Sequence, residues 1–194
     1  MADKKGCEYA PIHPGWIKKR VPDEYADDTL REIILFYVIN TPCTDLSSSS
    51  ISLTDYGWKR DVWKNGKLKN ILLGIAELKR NESFVVLHHT HEMKQGCELA
   101  HMKKNFHKNR DAERIVIYKG HYNEFLSICY HIRNAFAHGR LAMYQCAGDD
   151  IMFALEDGIK RNEKFEVRSR MILRKSTLKA WMDIIKSGKY PLET

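Results

Sequence analysis

Arg133, Asn134 and His138 bring a permanent cation, an amide and a titratable imidazole into one short run, Arg133-Asn134-Ala135-Phe136-Ala137-His138, stopped by Gly139. On a helix, at about 100° per residue, Arg133 and His138 lie roughly 140° apart, with Asn134 one turn before His138 and small Ala137 between the two flanks. Phe125, Ile128, Cys129, Ile132, Ala135 and Phe136 recur at helical spacing and define an apolar stripe for the core. The opposite side is left as a shallow polar face expected to meet solvent. Such a face closes most simply when something packs on it, and another copy of the same helix would do.

The residue types suit phosphodiester cleavage in RNA. An ordinary imidazole gives or takes a proton near neutral pH, while a guanidinium stays charged and grips phosphate through paired donors. Attack of a 2′-hydroxyl on the adjacent phosphorus needs a base, a cation for the developing negative charge and an acid for the leaving 5′-oxygen. One Arg/His pair supplies part of that set. Two copies across a dimer axis supply all of it without a metal.

At these residues the chain resembles the HEPN superfamily (higher eukaryotes and prokaryotes nucleotide-binding), whose signature is an arginine, usually followed by a polar residue, four to six positions, then a histidine. Arg133, Asn134 and His138 fit with four intervening positions. The resemblance implies a small all-helical domain that dimerises with two signatures facing each other. It also implies a metal-independent endoribonuclease, acting as a toxin or phage-defence effector, with Arg133 and His138 as the catalytic pair and Asn134 as their polar neighbour. Members that work with a nucleotidyltransferase antitoxin carry a tyrosine two places after the histidine. Here that place is Arg140, with Tyr144 close by.

The chain has 194 residues, 43% of them hydrophobic, which is enough for one ordinary core. Its formal charge of +7 favours anionic partners. Basic residues cluster at 59–69, at 103–108 and at Arg168, Arg170, Arg174 and Lys175, whereas Asp23, Glu24, Asp27 and Asp28 make the first helix start acidic. Arg140, His131, Arg168 and Arg170 are accordingly expected to add weaker RNA contacts. Cys7, Cys43, Cys97, Cys129 and Cys146 are odd in number and lack paired spacing, which argues for reduced thiols in a cytoplasm. The first fourteen residues contain no apolar stretch of the kind found in export signals. The longest aliphatic run, 33–39, is too short to cross a bilayer. A soluble cytoplasmic protein without a membrane partner is the expectation.

The elements that must position the motif read as a helical core. Pro22-Asp23-Glu24 opens a helix that Asn40-Thr41-Pro42 closes, and a polar run at 47–50 follows. Thr54-Asp55 caps a second helical stretch, breakable at Asn65-Gly66, whose later part carries Leu68, Ile71, Leu72, Ile75 and Leu78. The segments 83–88 and 115–118 have the composition of short strands or of helix beginnings, and 92–106 reads as helical. The motif helix runs over about 122–138. Beyond Gly139 the period changes to alternation: 141–145 and 151–155 flank Gly148-Asp149-Asp150 as a hairpin. In a third strand Phe165, Val167, Ser169 and Met171 alternate with Glu166, Arg168 and Arg170, which places those charges on one face. Ser176 then caps a last helix that ends at Ser187-Gly188. The expected fold is mainly α, a HEPN-like helical bundle in a single domain spanning 1–194, with a helical core at about 23–139, a small antiparallel β insertion at about 140–173 and a C-terminal helix at about 175–188.

Two other functions compete. One is a non-catalytic HEPN-like protein that binds RNA or a nucleotide, or scaffolds an antitoxin or defence-system partner. The other is a zinc-stabilised interaction module, because Cys97 and His101 fall at i, i+4 and His88, His89, His91 and His107 are near in sequence. That set lacks the short paired spacings of common zinc modules. The ribonuclease reading requires no cofactor and no metal. Trp58, Trp63 and Trp181 are expected in the core, and no glycine-rich phosphate loop, Ser/His/Asp order or paired-carboxylate cluster stands out.

Overall fold

Each periodic segment becomes an element, but the strands join in a way that periodicity does not announce. The computed structural model describes residues 23–43, 51–103, 106, 112–146, 149–161 and 164–191. Cys7, Pro22, the run at 47–50, most of the basic cluster at 103–108, His107 and Gly148 lie outside the described residues. Helix α1 (Asp28–Ile34) begins where the Asp27 carboxylate accepts from Leu30 N at 2.8 Å, and it continues as a π-helical turn, Leu35–Asn40. Helix α2 (Lys67–Ile75) follows, then strand β1 (Phe84–Leu87), helix α3 (Met93–Leu99), strand β2 (Arg114–Tyr118) and the motif helix α4 (Glu124–Ala137). Strands β3 (Leu141–Gln145), β4 (Ile151–Arg161) and β5 (Lys164–Arg174) lead into helix α5 (Lys175–Ser187).

The helical-bundle expectation is overturned. The protein has an α/β fold in which 44% of the described residues are helical and 24% lie in strands. The supposed β insertion at 140–173 is part of one five-stranded sheet of order β1-β2-β5-β4-β3. Strands β1 and β2 run parallel, with α3 as their crossover, and β2 pairs antiparallel with β5 through Ile115↔Met171 and Ile117↔Ser169. The two ambiguous segments at 83–88 and 115–118 are therefore strands. They are short because each is covered on both faces and needs only four or five residues to cross the core.

One face of the sheet holds Ile115, Ile117, Phe153, Leu155, Met171 and Leu173 against α1, α2, α4 and α5. Two tryptophans seal this layer with their indole N–H groups satisfied: Trp58 donates to Ile185 O and Trp181 to Leu72 O, both at 2.7 Å. The second face holds Val116, Met152, Ala154 and Ile172 against α3 and the residues after it. Among the described residues no helix is long and apolar enough to cross a membrane.

The expected alternation in β5 breaks at Arg168. Asp157 pairs with Ser169 but Gly158 pairs with Val167, so Arg168 is the extra residue of a β-bulge. Phe165 and Val167 consequently share the face of Ile172 and not that of Met171, and the charges at 166, 168 and 170 do not form one row. Gly158 permits this: a Cβ there would come within 2.3 Å of Glu166 O and 2.6 Å of the Phe165 ring. Ser176 is not the cap of α5. Arg174 holds the N-cap position, and the Ser176 hydroxyl bonds the Asp150 carboxylate.

Candidate functional site

The motif helix is fixed at both ends before it presents any chemistry. Asn123 caps it by accepting from Leu126 N at 2.9 Å, and Glu124 in the first turn pairs with Lys69 at 2.6 Å and Arg80 at 2.9 Å. The apolar stripe from Phe125 to Phe136 is buried against the sheet as its spacing predicts. At the other end Gly139 takes φ +62°, Gly139 N donates to Phe136 O and Arg140 N to Ala135 O at 2.8 Å. This is a Schellman closure, which needs the left-handed residue that glycine supplies without strain. His138 is thus the C-cap residue just past the helix, exposed, and its ring makes no hydrogen bond among the described residues.

Behind it runs a buried polar network. His131, only 2% exposed, faces the sheet and not solvent. Its Nε2 lies 2.8 Å from Tyr118 O and its Nδ1 2.7 Å from Asp157 Oδ2. A carbonyl can only accept, so Nε2 carries a proton. Asn134 Nδ2 donates to the same Asp157 Oδ2, at 3.4 Å, so that one carboxyl oxygen ties the imidazole and the amide together. Arg133 Nη1 completes the chain by donating to Asn134 Oδ1 at 3.1 Å, while Arg133 Nε is buried without a partner.

Several expected roles change accordingly. Asn134 is buried and not part of a solvated face, and what it orients is Arg133. His131 is sealed under α4 and does not meet RNA. Arg170, also 2% exposed, lies on the second face of the sheet, where Nε reaches Glu156 Oε2 at 3.2 Å and Nη1 donates to Met102 O at 2.7 Å. Arg140 and Arg168 remain half-buried at the surface. The structure thus joins Arg133 and Asn134 through a direct bond and puts His138 one turn beyond Asn134, whose carbonyl accepts from His138 N at 2.9 Å.

Sequence reasoning does not single out Asp157 and Glu156, because two adjacent carboxylates after Leu155 look like a strand end. Their signal is their opposite pairing needs, one to each face of the sheet. Burial pushes the Glu156 carboxyl up to about 7, outweighing the pull of Arg170, with Arg140 also lowering it and Asp157 raising it. A folded-state value above the usual 4.5 means that the native state holds a proton the unfolded chain releases. This group's contribution to stability is full below about pH 4.5 and is lost as pH rises through about 7. Urea unfolding midpoints of wild type and Glu156→Gln are expected to diverge across that window, with wild type losing ground as pH rises. Parallel curves would remove Glu156 as the source.

Zinc finds little here. Among the described residues no group of three or more His, Cys, Asp and Glu side chains gathers as a metal site, and His88, His89 and His91 are exposed. Cys97 is buried, which pushes its thiol up to about 11 and disfavours the thiolate that zinc needs. A cleft of about 830 Å³ lies elsewhere, lined by Lys79, His101, Arg114 and Arg174 among others. The first turn of α5 on its wall is already met by Glu113, which accepts from Arg174 N at 2.7 Å and Thr177 Oγ1 at 2.9 Å.

No family model matches this chain, and comparisons with curated proteins and with solved structures give no match.

Proposed function

We propose that this protein is an endoribonuclease that works without a metal, through Arg133 and His138 in a site completed by a second copy. The observation that carries the reading is a tethered cation on the same helix end as an exposed histidine whose ring has no hydrogen-bond partner among the described residues. Arg133 is held by Asn134, itself tied to the buried Asp157–His131 pair, while one turn away His138 stands exposed and unbonded at the helix end. A pre-fixed charge and an accessible imidazole, brought onto one phosphate by the second copy, are what in-line attack on phosphorus requires.

In the reaction the 2′-oxygen forms a bond to phosphorus and passes its proton to His138. The guanidinium of Arg133 takes up charge on the phosphoryl oxygens. The bond from phosphorus to the 5′-oxygen then breaks, leaving a 2′,3′-cyclic phosphate and a 5′-hydroxyl. The leaving oxygen needs a proton at the moment His138 has just gained one, so a single imidazole cannot serve as base and acid in the same step. The second copy's His138, protonated, fills that role. The motif likeness to HEPN ribonucleases supports the chemistry at these residues, independently of the bundle architecture that the fold excludes.

Labelled RNA incubated with the wild-type protein in excess EDTA should yield fragments ending in 2′,3′-cyclic phosphate, and Arg133→Ala should lower the rate by about 10²-fold or more. Strict dependence on added metal, or equal rates in the two proteins, would end this reading.

A further inference from the structure

The second face of the sheet carries three guanidinium groups laid on aromatic rings. Arg170 lies over Phe106 at 4.8 Å, Arg168 over Tyr118 at 5.6 Å and Arg140 over Phe165 at 3.6 Å. All three rings pack with the same apolar cluster on that face. The innermost stack is sealed, since Arg170 and Phe106 are buried and Arg170 is bonded to Glu156 and to Met102 O. The outer two are open to solvent in part: Arg140, Phe165 and Tyr118 are half-buried, and Arg168 keeps 20% of its side chain exposed.

From this arrangement we propose that the open part of this face, built on Arg140 with Phe165 and Arg168 with Tyr118, binds single-stranded RNA and delivers it to His138. The proposal rests on the ribonuclease reading for its destination and on the face alone for the binding. Arg140 follows His138 by two residues, and the turn at Gly139 carries the chain around edge strand β3, where Arg140 O accepts from Glu156 N at 3.0 Å. The binding face therefore begins where the motif helix ends.

Charge and shape select the occupant. Glu156 is engaged by Arg170, so Arg140 has no ion pair among the described residues, and the carboxylate nearest Arg168, Glu166, stands 4.0 Å from its Nε. A guanidinium held over a ring is already restricted in its rotamers, and the side away from the ring is the one a ligand can meet. That side stacks on a nucleobase, while the charge attracts the neighbouring phosphate. An acidic peptide would use guanidinium edges and has no planar groups to match. A duplex keeps its bases stacked inside and offers only phosphates.

The test uses the full chain bearing His138→Ala, so that the probe is not consumed. Its affinity is measured for a short fluorescent single-stranded RNA, the same sequence as a duplex, and a polyglutamate peptide. Adding Arg140→Gln and Arg168→Gln should weaken single-strand binding about tenfold or more and flatten the salt dependence by roughly 0.7 for each phosphate no longer neutralised. Arg31→Gln on exposed α1 should change nothing. Photocrosslinking of a thiouridine-containing strand should map to the peptides holding Tyr118 and Phe165, which keeps the test decisive if the double variant folds poorly. Unchanged affinity in a folded double variant, crosslinks confined to other surfaces, or tighter binding of duplex or polyglutamate would each overturn the proposal. Arg140-dependent binding together with His138-independent cleavage would leave this face standing and remove the ribonuclease site. Cleavage that needs His138 with binding that ignores Arg140 would do the reverse.

Discussion

His138→Ala is expected to lower RNA cleavage by about 10²–10⁴-fold, the range that a positioned general acid or base supplies, while leaving thermal stability within about 0.5 kcal/mol. The separation follows from where His138 stands. Its ring is exposed and bonded to nothing among the described residues, and the helix end is closed by backbone bonds from Gly139 and Arg140 that an alanine would leave untouched. On the proposed mechanism, catalysis and folding draw on different atoms of one residue. A variant that retains full activity, or one that loses activity only in proportion to lost folded protein, would reject His138 as a catalytic residue.

The motif helix is legible in the sequence because its signals are local. Asn123, the apolar stripe and Gly139 lie within one stretch of chain and set start, face and stop with no help from elsewhere. The hairpin of β3 and β4 is legible for the same reason. The sheet is not, because β1 and β2 are short and find their partners across the crossover α3 and against β5. Periodicity reports which way side chains alternate and is silent about which strands meet. A β segment whose partners are distant in sequence therefore looks like an appendage to a bundle.

The site is half legible for a related reason. Residue types and spacing identify Arg133, Asn134 and His138, and the structure joins the first two. What spacing cannot reveal is that the polar residues of α4 divide between two environments. His131 and Asn134 turn inward because β4 runs on past Leu155 and brings Asp157 under the helix. Strand β4 continues through two carboxyl groups because each is met by a side chain from another element, Glu156 by Arg170 on β5 and Asp157 by His131 on α4. Without those distant partners the two acidic residues have the look of a turn.

That coupling gives the largest expected stability effect. Asp157→Ala should destabilise the fold by about 2–5 kcal/mol, since it leaves two buried groups, His131 Nδ1 and the Asn134 amide, without their partner. For a domain whose total stability is about 5–15 kcal/mol, this is a large fraction. Replacing both partners, as in His131→Leu with Asp157→Ala, should recover much of the loss, because the unpaired buried ring nitrogen has gone. Chemical denaturation of the two single variants and the double variant closes the cycle, and a coupling of about 0.5–3 kcal/mol is expected for groups in one network. Asp157→Asn probes the other end of the chain of bonds: a folded protein with the acceptor weakened should loosen Asn134 and, through it, Arg133. Cleavage should then fall even though neither Arg133 nor His138 has been touched. Strictly additive single-variant losses would dissolve the network, and an Asp157→Asn protein as active as wild type would separate it from the chemistry at the helix end.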